Sequence, residues 1–296
     1  MRREWTPEDL IASWTLVEHD WRLVGNKAGA TRLGFALLLK FFELEGRFPR
    51  HLGELPRQAV EYVAQQVKVE ATEVNAYDWA GRSIKYHRVQ IREAYGFREC
   101  SGEDEARLAT WLAEEVCLSE LGEERQREAL LARCRAERLE PPGPSRVDRV
   151  LSAGRAEAEE RFCAQTVGRL SPEAIERLEE LVGGGRTDVA GGRGLLAELK
   201  ADPGPLGLET LLTEIAKLGR VRSIGLPPGL FAGVSEKLVT AWRARAAAQY
   251  PSHFQAMAPP VRLTLLAAGD RRRAAGWGGP VEGRGRSPLA SPGFVR

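Results

Sequence analysis

The chain has 296 residues, of which 43% are hydrophobic and 28% charged, and its formal net charge is +2. This composition is typical of a globular protein of about two domains, or three small ones, with enough apolar residues for real cores. The near-zero net charge excludes attraction of nucleic acid or an acidic membrane over the whole surface, so a basic binding site would have to be local.

The cysteine spacing and the length of the apolar runs argue against a disulfide-bonded, a metal-binding and a membrane-spanning protein. The four cysteines, Cys100, Cys117, Cys134 and Cys163, are widely spaced and form no paired motif with one another or with histidine. This spacing predicts reduced thiols without a disulfide framework or a bound metal. No signal-like segment precedes the first helix, and no run approaches the ~18–20 apolar residues that span a membrane. We therefore expect a soluble, cytoplasmic protein with no membrane partner.

Residues 1–100 have the pattern of a compact helical domain. Thr6 and Pro7 mark an N-cap and a first helical position, and one apolar stripe follows at three- and four-residue steps: Leu10, Trp14, Val17 and Trp21. The segment TRLGFALLLKFFELEG predicts a largely buried helix that Gly46 ends. A third helix starts at Pro56, with an apolar side made of Val60, Val63, Ala64 and Val67.

The remainder predicts more helices, separated by glycine and proline. We expect a second helical domain over residues 101–182, a Gly-rich linker over 183–194 and a helical linker domain over 195–268. The linker, which contains GGGRTDVAGGRG, lacks the Gly-Lys-Ser/Thr ending of a nucleotide-binding loop. The fold class predicted for the whole chain is all-α, made of several small helical domains.

The last segment, residues 269–296, differs in composition from everything before it. It is rich in Gly, Arg, Pro and Ser without periodicity, and it follows the well-patterned segment PPVRLTLLAA abruptly. A natural disordered basic tail is one interpretation. The abruptness favours another, in which the reading frame has slipped at about Ala268.

Catalytic chemistry has no clear signal in the sequence. The four histidines stand apart from one another and from any Ser or Cys nucleophile motif, and the acidic residues lie mainly in mixed-charge helical segments. We therefore predict no catalytic residue, no metal ligand and no cofactor in this chain.

The most informative stretch is GRSIKYHRVQIREAYGFR, residues 81–98. On a helix, Ile84, Ile91 and Tyr95 form a stripe that can face a core. Lys85, Arg88 and Arg92 share an adjacent face and form a basic ridge, which Arg82 precedes. An apolar anchor beside a basic ridge, after a helix and a polar turn, is what a helix-turn-helix recognition helix needs. A solvated basic face without a partner is the alternative.

Two neighbouring features are open to both interpretations. Arg47 and Arg50, in the turn GRFPRH, could contact phosphates or be ordinary exposed charges. Four aromatic residues could stack on bases, although core positions are the more frequent outcome for each: Tyr77, Trp79, Tyr86 and Phe97.

Several long segments resemble the N-terminal region of the large replicative transposases of the Tn-three family. They are GATRLGFALLLKFFELEGRFP, YDWAGRSIKYHRVQIREAYGF, EPPGPSRVDRVLSAGRAEAEERFC, LLAELKADPGPLGLETLLTEIAKLGRVRSIGLP and YPSHFQAMAPPVRLTLLAA. The resemblance runs in order from about residue 4 to residue 268. It implies tandem helical modules that bind the terminal inverted repeats of a transposon.

The resemblance also implies what this chain lacks. In that family the acidic catalytic triad, with its divalent metal, belongs to a later RNase H-like domain, so we expect a chain truncated before the catalyst. Whether it acts in an enzyme is left open. The family's apolar helix continues where this chain changes to GDRRR, which also favours the frame slip.

The resemblance makes Lys85, Arg88 and Arg92 the best DNA-binding candidates, with Arg82 and His87 next. In PSRVDR it adds Ser145, Arg146 and Arg149 at a helix start, where backbone amides also bind phosphate; a capped surface helix is the equal alternative.

The function expected is sequence-specific binding of double-stranded DNA at terminal inverted repeats, without cutting. Partners would be that DNA and either a second copy or an intact transposase. The alternatives are an inert pseudogene product, a protein-interaction fragment, or a part of a full-length active transposase.

Overall fold

The computed structural model describes residues 5–183 and 194–275, with side chains up to residue 269. The chain forms two compact units, Met1–Glu157 (unit 1) and Ala158–Arg296 (unit 2). The predicted boundary at residue 100 lies inside unit 1, and the subdivision into smaller domains stays a prediction. The predicted Gly-rich linker lies outside the described residues, except for its two ends.

Unit 1 contains seven complete α-helices and the start of an eighth among its described residues. Their bounds are α1 Pro7–Trp14, α2 Glu18–Val24, α3 Gly29–Glu45, α4 Arg57–Val67, α5 Arg82–Tyr95, α6 Gly102–Trp111, α7 Glu123–Ala136 and α8 Pro144–Val167. Short 3-10 helices cover Leu52–Glu54 and Ala71–Ala76, and a π-helical turn, Leu112–Val116, extends α6.

Unit 2 is also helical. It begins within α8 and continues with α9 Pro172–Gly183, α10 Leu195–Lys200, α11 Leu208–Ser223, α12 Glu236–Ala248, the 3-10 helix Pro251–Ala256 and α13 Pro259–Ala275. In the part of the chain that the structure describes, the strands are the two-residue pair β1 (Arg98–Glu99) and β2 (Leu139–Glu140). The predicted all-α fold is confirmed.

Helix α3 is the centre of unit 1. Every residue from Leu33 to Phe42 is buried, so the helix is covered around its whole circumference. Its neighbours in the core are α1, α2, α4, α5 and the second 3-10 helix. Gly46 ends α3 in the left-handed conformation, with φ of 68°, as the sequence predicted.

The predicted single stripe through Leu10, Trp14, Val17 and Trp21 is wrong beyond Trp14. The chain leaves the helix at Thr15, and Val17 and Trp21 are exposed while Trp14 is fully buried. Gln66 of α4 stabilises this break, because its amide donates to the Trp14 carbonyl at 3.0 Å and accepts from the Leu16 N–H at 2.8 Å. A side chain about 50 residues away thus replaces helical backbone hydrogen bonds.

The two short strands connect the end of α5 to the start of α8. They pair in parallel, with Arg98 opposite Leu139 and Glu99 opposite Glu140. Helices α6 and α8 cross closely at Gly154, where a Cβ atom would lie 2.9 Å from Leu112 Cβ and 3.0 Å from the Ala109 carbonyl oxygen. The strand pair thus joins the segment after α5 to the segment before α8, and the crossing at Gly154 packs α8 against the end of α6.

The predicted C-terminal tail starts within helix α13. Helix α13 continues past residue 268 to Ala275, so the helical backbone includes the first part of the tail predicted from residue 269. Residues 276–296 of that predicted tail lie outside the described residues.

Candidate nucleic-acid interface

Helix α5 is anchored to the core of unit 1 by the apolar side that the sequence predicts. Ile84 and Ile91 are buried, and Tyr95 is half-buried with its ring 6.0 Å from that of Phe42. The helix starts after Gly81, whose N–H donates to Asp78 Oδ1 at 2.8 Å, and it ends at the left-handed Gly96.

The opposite side of α5 combines cations with apolar surface. Arg82, Lys85, Tyr86 and Val89 are exposed on it, and the exposures of Tyr86 (70%) and Val89 (40%) are unusual for their residue types. At 3.6 residues per turn, residues 82, 85, 86 and 89 lie on one surface. We call these four residues the outer face of α5.

The connection from α4 to α5 differs from the short turn of a helix-turn-helix motif. It runs from Lys68 to Gly81 and includes the 3-10 helix Ala71–Ala76, whereas the motif uses about three or four residues. The recognition-helix assignment therefore depends on the outer face of α5 and stays a prediction.

A cleft of about 380 Å³ lies between α5, the strand pair and the start of α8. Four of the predicted DNA-binding residues meet there: Lys85, Arg88, Arg92 and Arg146. The carboxylates of Glu99 and Glu140 also line the cleft. The cationic side chains outnumber the carboxylates, so the cleft has a positive balance.

Arg92 holds the cleft together. Its guanidinium group bonds to Glu140 at 2.6 Å and to Glu99 at 2.7 Å, and these two carboxylates are opposite each other in the strand pair. Arg92 is only 8% exposed. Burial raises the pKa of Glu140, and the hydrogen bond and charge of Arg92 oppose that shift. Both ends of this guanidinium group are thus occupied by the protein itself.

Arg88 has an intermediate position. Its guanidinium group lies 5.3 Å from the centroid of the Phe48 ring, and Nη2 donates to the Pro49 carbonyl at 3.4 Å. Its buried Nε has no hydrogen-bond partner. The predicted basic ridge is therefore graded in exposure, from Lys85 at the surface through Arg88 to the buried Arg92.

His87 faces the core, away from the outer face. It is 6% exposed, and its Nδ1 shares a 2.7 Å hydrogen bond with the Tyr77 hydroxyl. The Phe35 ring packs edge-on against it. Burial lowers the pKa of His87, and the charge of Lys27 lowers it further, so the environment favours the neutral form of the ring. The structure gives His87 a packing role.

The turn candidates lie apart from the cleft. The Arg47 guanidinium donates to Glu54 at 2.7 Å and to the Phe48 carbonyl at 3.2 Å, and it lies over the Phe41 ring. Arg50 is exposed, and its backbone N–H donates to Glu54 at 3.2 Å. Glu54 has a lowered pKa because these bonds and charges overcome its burial.

At the start of α8, only Arg146 lines the cleft. Its Nε pairs with Glu105, and its Nη2 donates to the Cys100 carbonyl at 3.3 Å. Arg149 is exposed. Ser145 is exposed as well and lies in the first turn of α8, which begins at Pro144; the Gly143 carbonyl accepts hydrogen bonds from this turn.

Two features of this site were missed from the sequence. The first is the exposure of Val89 and that of Tyr86, for which a core position was the favoured prediction. Helical phasing was a usable signal, since Tyr86 lies about 200° around the helix from the buried Ile84. The second is the Glu99–Glu140 pair, which comes from a parallel bridge between residues 41 positions apart. Of the four aromatic candidates, Tyr77 is buried, and Trp79 and Phe97 pack against the core.

Other kinds of site have no support in the described ranges. Across residues 5–183 and 194–269, no group of three or more His, Cys, Asp or Glu side chains could hold a metal ion. The four cysteines are buried and unpaired with each other, and burial raises the thiol pKa of each. No described helix is long and apolar enough to cross a membrane.

Fold and site together define an all-α protein with a partly apolar basic helix face beside a cationic cleft. Residues 1–154 match the family described as "Domain of unknown function (DUF4158)". This match covers just over half of the chain, and the chain belongs to that family. The outer face of α5 and the whole cleft lie within the matched residues.

The chain is also similar to the transposase for transposon Tn1546 of Enterococcus faecium. The two are 25% identical over 228 residues, which are 74% of this chain and 22% of the relative. The chain thus spans about a fifth of the length of that curated relative.

Proposed function

We propose that the chain binds double-stranded DNA through α5, as the end-recognition part of a Tn-three family transposase. The observation that carries the proposal is the outer face of α5, which combines two cations with exposed aromatic and aliphatic side chains next to a positive cleft. Similarity to a transposase supports the choice of DNA over other anions. The DNA bound would be the terminal inverted repeat of the element.

The mechanism divides the outer face into two kinds of contact. Arg82 and Lys85 would neutralise phosphates or reach guanine edges, which accept hydrogen bonds in the major groove. Val89 would contact thymine methyl groups, and the Tyr86 ring adds apolar area with a hydroxyl that can hydrogen-bond. A helix of ordinary diameter fits the major groove.

The cleft would take a backbone phosphate beside that groove. Lys85 lies at its surface, and Arg88 and Arg146 line it, so an anion there would meet cations from two helices. Arg92 and His87 have positioning roles in this mechanism: Arg92 joins α5 to the strand pair, and His87 packs α5 against Tyr77 and Phe35.

Fluorescence anisotropy with duplex DNA over a series of salt concentrations tests the proposal. We expect tighter binding of the element's own terminal repeat than of a scrambled duplex of equal length. Arg82→Ala and Lys85→Ala should each weaken binding and lower the salt slope by about one if the side chain contacts phosphate. Val89→Ala should reduce the preference for the repeat while leaving the slope unchanged.

Arg57→Ala is the matched control. Arg57 is an exposed helical arginine of unit 1, on α4, paired only with Glu61 among its described contacts. Its removal changes the net charge equally but should leave the slope unchanged. Equal affinity for repeat and scrambled duplexes, or equal effects of Lys85→Ala and Arg57→Ala, would refute the assignment and favour a protein-interaction fragment or an inert product.

Cutting and joining of DNA are outside this proposal. The chain covers 22% of the curated transposase, and the proposal concerns DNA binding alone. A mixed complex with an intact transposase would let this chain occupy transposon ends without cutting.

A further inference from the structure

Helix α11 of unit 2 has one apolar side that no described residue covers. Leu208, Leu211, Leu212 and Ile215 follow the i, i+3, i+4, i+7 spacing of a helical stripe, and each is at least 44% exposed. Leu206, just before the helix, is fully exposed. Single exposed leucines are common on soluble proteins, but a continuous apolar stripe of this length marks an interaction surface. We call these five residues the α11 stripe.

The other side of α11 faces its own unit. Lys217 and Val221 are buried, and the Lys217 ammonium donates to the Ala201 carbonyl at 3.0 Å and pairs with Glu214 at 2.6 Å. The stripe therefore belongs to a helix whose orientation is set by packing on the reverse side, and it is presented as a formed surface.

The size and the charge of the side chains change along the exposed side of α11. Its first half carries the large apolar residues and the exposed Glu209. Its second half carries Gly219, where an added Cβ would meet no atom within 4 Å, and the exposed cations Arg220 and Arg222. The Arg220 guanidinium group pairs with Glu198 of the same chain at 2.8 Å, and its side chain stays 53% exposed, so it can also meet a carboxylate from outside. The N-terminal half of this side thus carries large apolar side chains beside a carboxylate, and the C-terminal half carries a glycine beside two guanidinium groups.

We propose that the α11 stripe binds the α11 stripe of a second copy of this chain, with the two helices antiparallel. A two-fold axis close to Leu212 and Ile215 would then place Leu208 of each copy against Gly219 of the other. In antiparallel helices equivalent flanks face each other, so Glu209 would approach Arg220 of the second copy, twice by symmetry. A parallel pair would instead place like ends together and would leave Gly219 opposite Gly219.

This self-association is independent of the DNA-binding proposal, because α11 and the outer face of α5 belong to different units. A dimer would present two copies of unit 1, and two linked DNA-binding modules bind a pair of sites more tightly than one.

Sedimentation equilibrium of the full chain over a range of concentrations tests the proposal. We expect a monomer–dimer equilibrium that Ile215→Lys weakens at least ~10-fold, because two added ammonium groups would face each other near the axis. Ile11→Lys is the matched control: Ile11 is a similarly exposed helical isoleucine in unit 1 (59% against 50%), and its substitution should leave the dimer unchanged. Far-UV circular dichroism verifies that both variants fold.

Charge exchange tests the antiparallel arrangement. Glu209→Arg and Arg220→Glu should each weaken the dimer by placing like charges opposite each other, and the double variant should recover most of the loss. Arg220→Glu also breaks the pair with Glu198 within the chain, so Glu198→Gln, which breaks that pair alone, is its control and should leave the dimer unchanged. A chain that stays monomeric at every concentration would overturn the proposal and favour another occupant of the stripe. A dimer that Ile11→Lys and Ile215→Lys weaken equally, or whose charge-exchanged double variant shows no recovery, would overturn it as well.

Discussion

Arg92→Ala should destabilise unit 1 by about 3 kcal/mol at pH 7. Arg92 is 8% exposed and joins α5 to both short strands through Glu99 and Glu140. Glu99 is well exposed, so the loss of its pair costs less than about 1 kcal/mol. Glu140 is mostly buried, and removal of one partner of a buried pair costs about 3–5 kcal/mol.

Protonation limits the cost for Glu140. In Arg92→Ala the Glu140 carboxylate can take up a proton, because the guanidinium group that paired with it is gone. From an ordinary pKa of 4.5, the free energy of this protonation is about 3.4 kcal/mol at pH 7 but only about 1.4 kcal/mol at pH 5.5. A carboxyl whose pKa is raised in the folded state favours folding at low pH and loses that advantage as the pH rises. The defect of Arg92→Ala should therefore shrink as the pH falls from 7 to 5.5.

Urea unfolding of the full chain, followed by circular dichroism at both pH values, measures this effect. Hydrogen exchange of the peptides that cover residues 82–99 locates it. Glu99→Gln is the control and should cost less than about 1 kcal/mol. Adding Glu140→Gln to Arg92→Ala should recover much of the loss, since the unpaired charge is then gone. A loss below about 0.5 kcal/mol, the size of an ordinary surface substitution, or a loss without pH dependence, would refute the role of Arg92 as the internal partner of Glu140.

Three further predictions concern the packing that supports the site. Gly34→Ala should destabilise unit 1 by about 2–3 kcal/mol, because an added Cβ would lie 2.3–2.6 Å from carbons of the buried Tyr77 ring. Gly102→Ala is the control and should leave the urea midpoint nearly unchanged, because a Cβ there meets no atom within 4 Å. Equal effects of the two substitutions would contradict the prediction. Tyr77→Phe should cost about 1–2 kcal/mol at pH 7 by leaving His87 Nδ1 without its partner, and an unchanged midpoint would mean that water replaces the hydroxyl. Asp104 has a pKa well below its ordinary value, chiefly because Arg98 and then Ser101 donate hydrogen bonds to it. The stabilisation from its ionised form is present above pH ~4 and is lost as the pH falls further. Asp104→Asn should therefore cost about 1–2 kcal/mol at pH 7 and less at pH 3, and a cost that does not change with pH would contradict this role of the Asp104 charge.

The sequence predicted the helices of the core well, because their apolar residues recur at helical spacing and glycines mark their ends. Helix α3 and the apolar side of α4 follow directly from local pattern, and so does the anchoring of α5 through Ile84 and Ile91. The break at Thr15 could not be predicted this way, since it depends on Gln66 of another helix. The apolar periodicity of the sequence continues past Trp14, whereas the hydrogen bonds of Gln66 end the helix there.

The same division applies to the candidate site. From its spacing alone the sequence determined that α5 is an amphipathic helix with a concentration of positive charge on one side. Only the tertiary structure decided which of those charges reach solvent: Arg82 and Lys85 do, whereas Arg92 is taken up by two carboxylates from a strand pair that joins residues 98–99 to 139–140. The physical reason is that charge is a property of the residue, whereas its availability depends on the partners that distant parts of the chain bring to it.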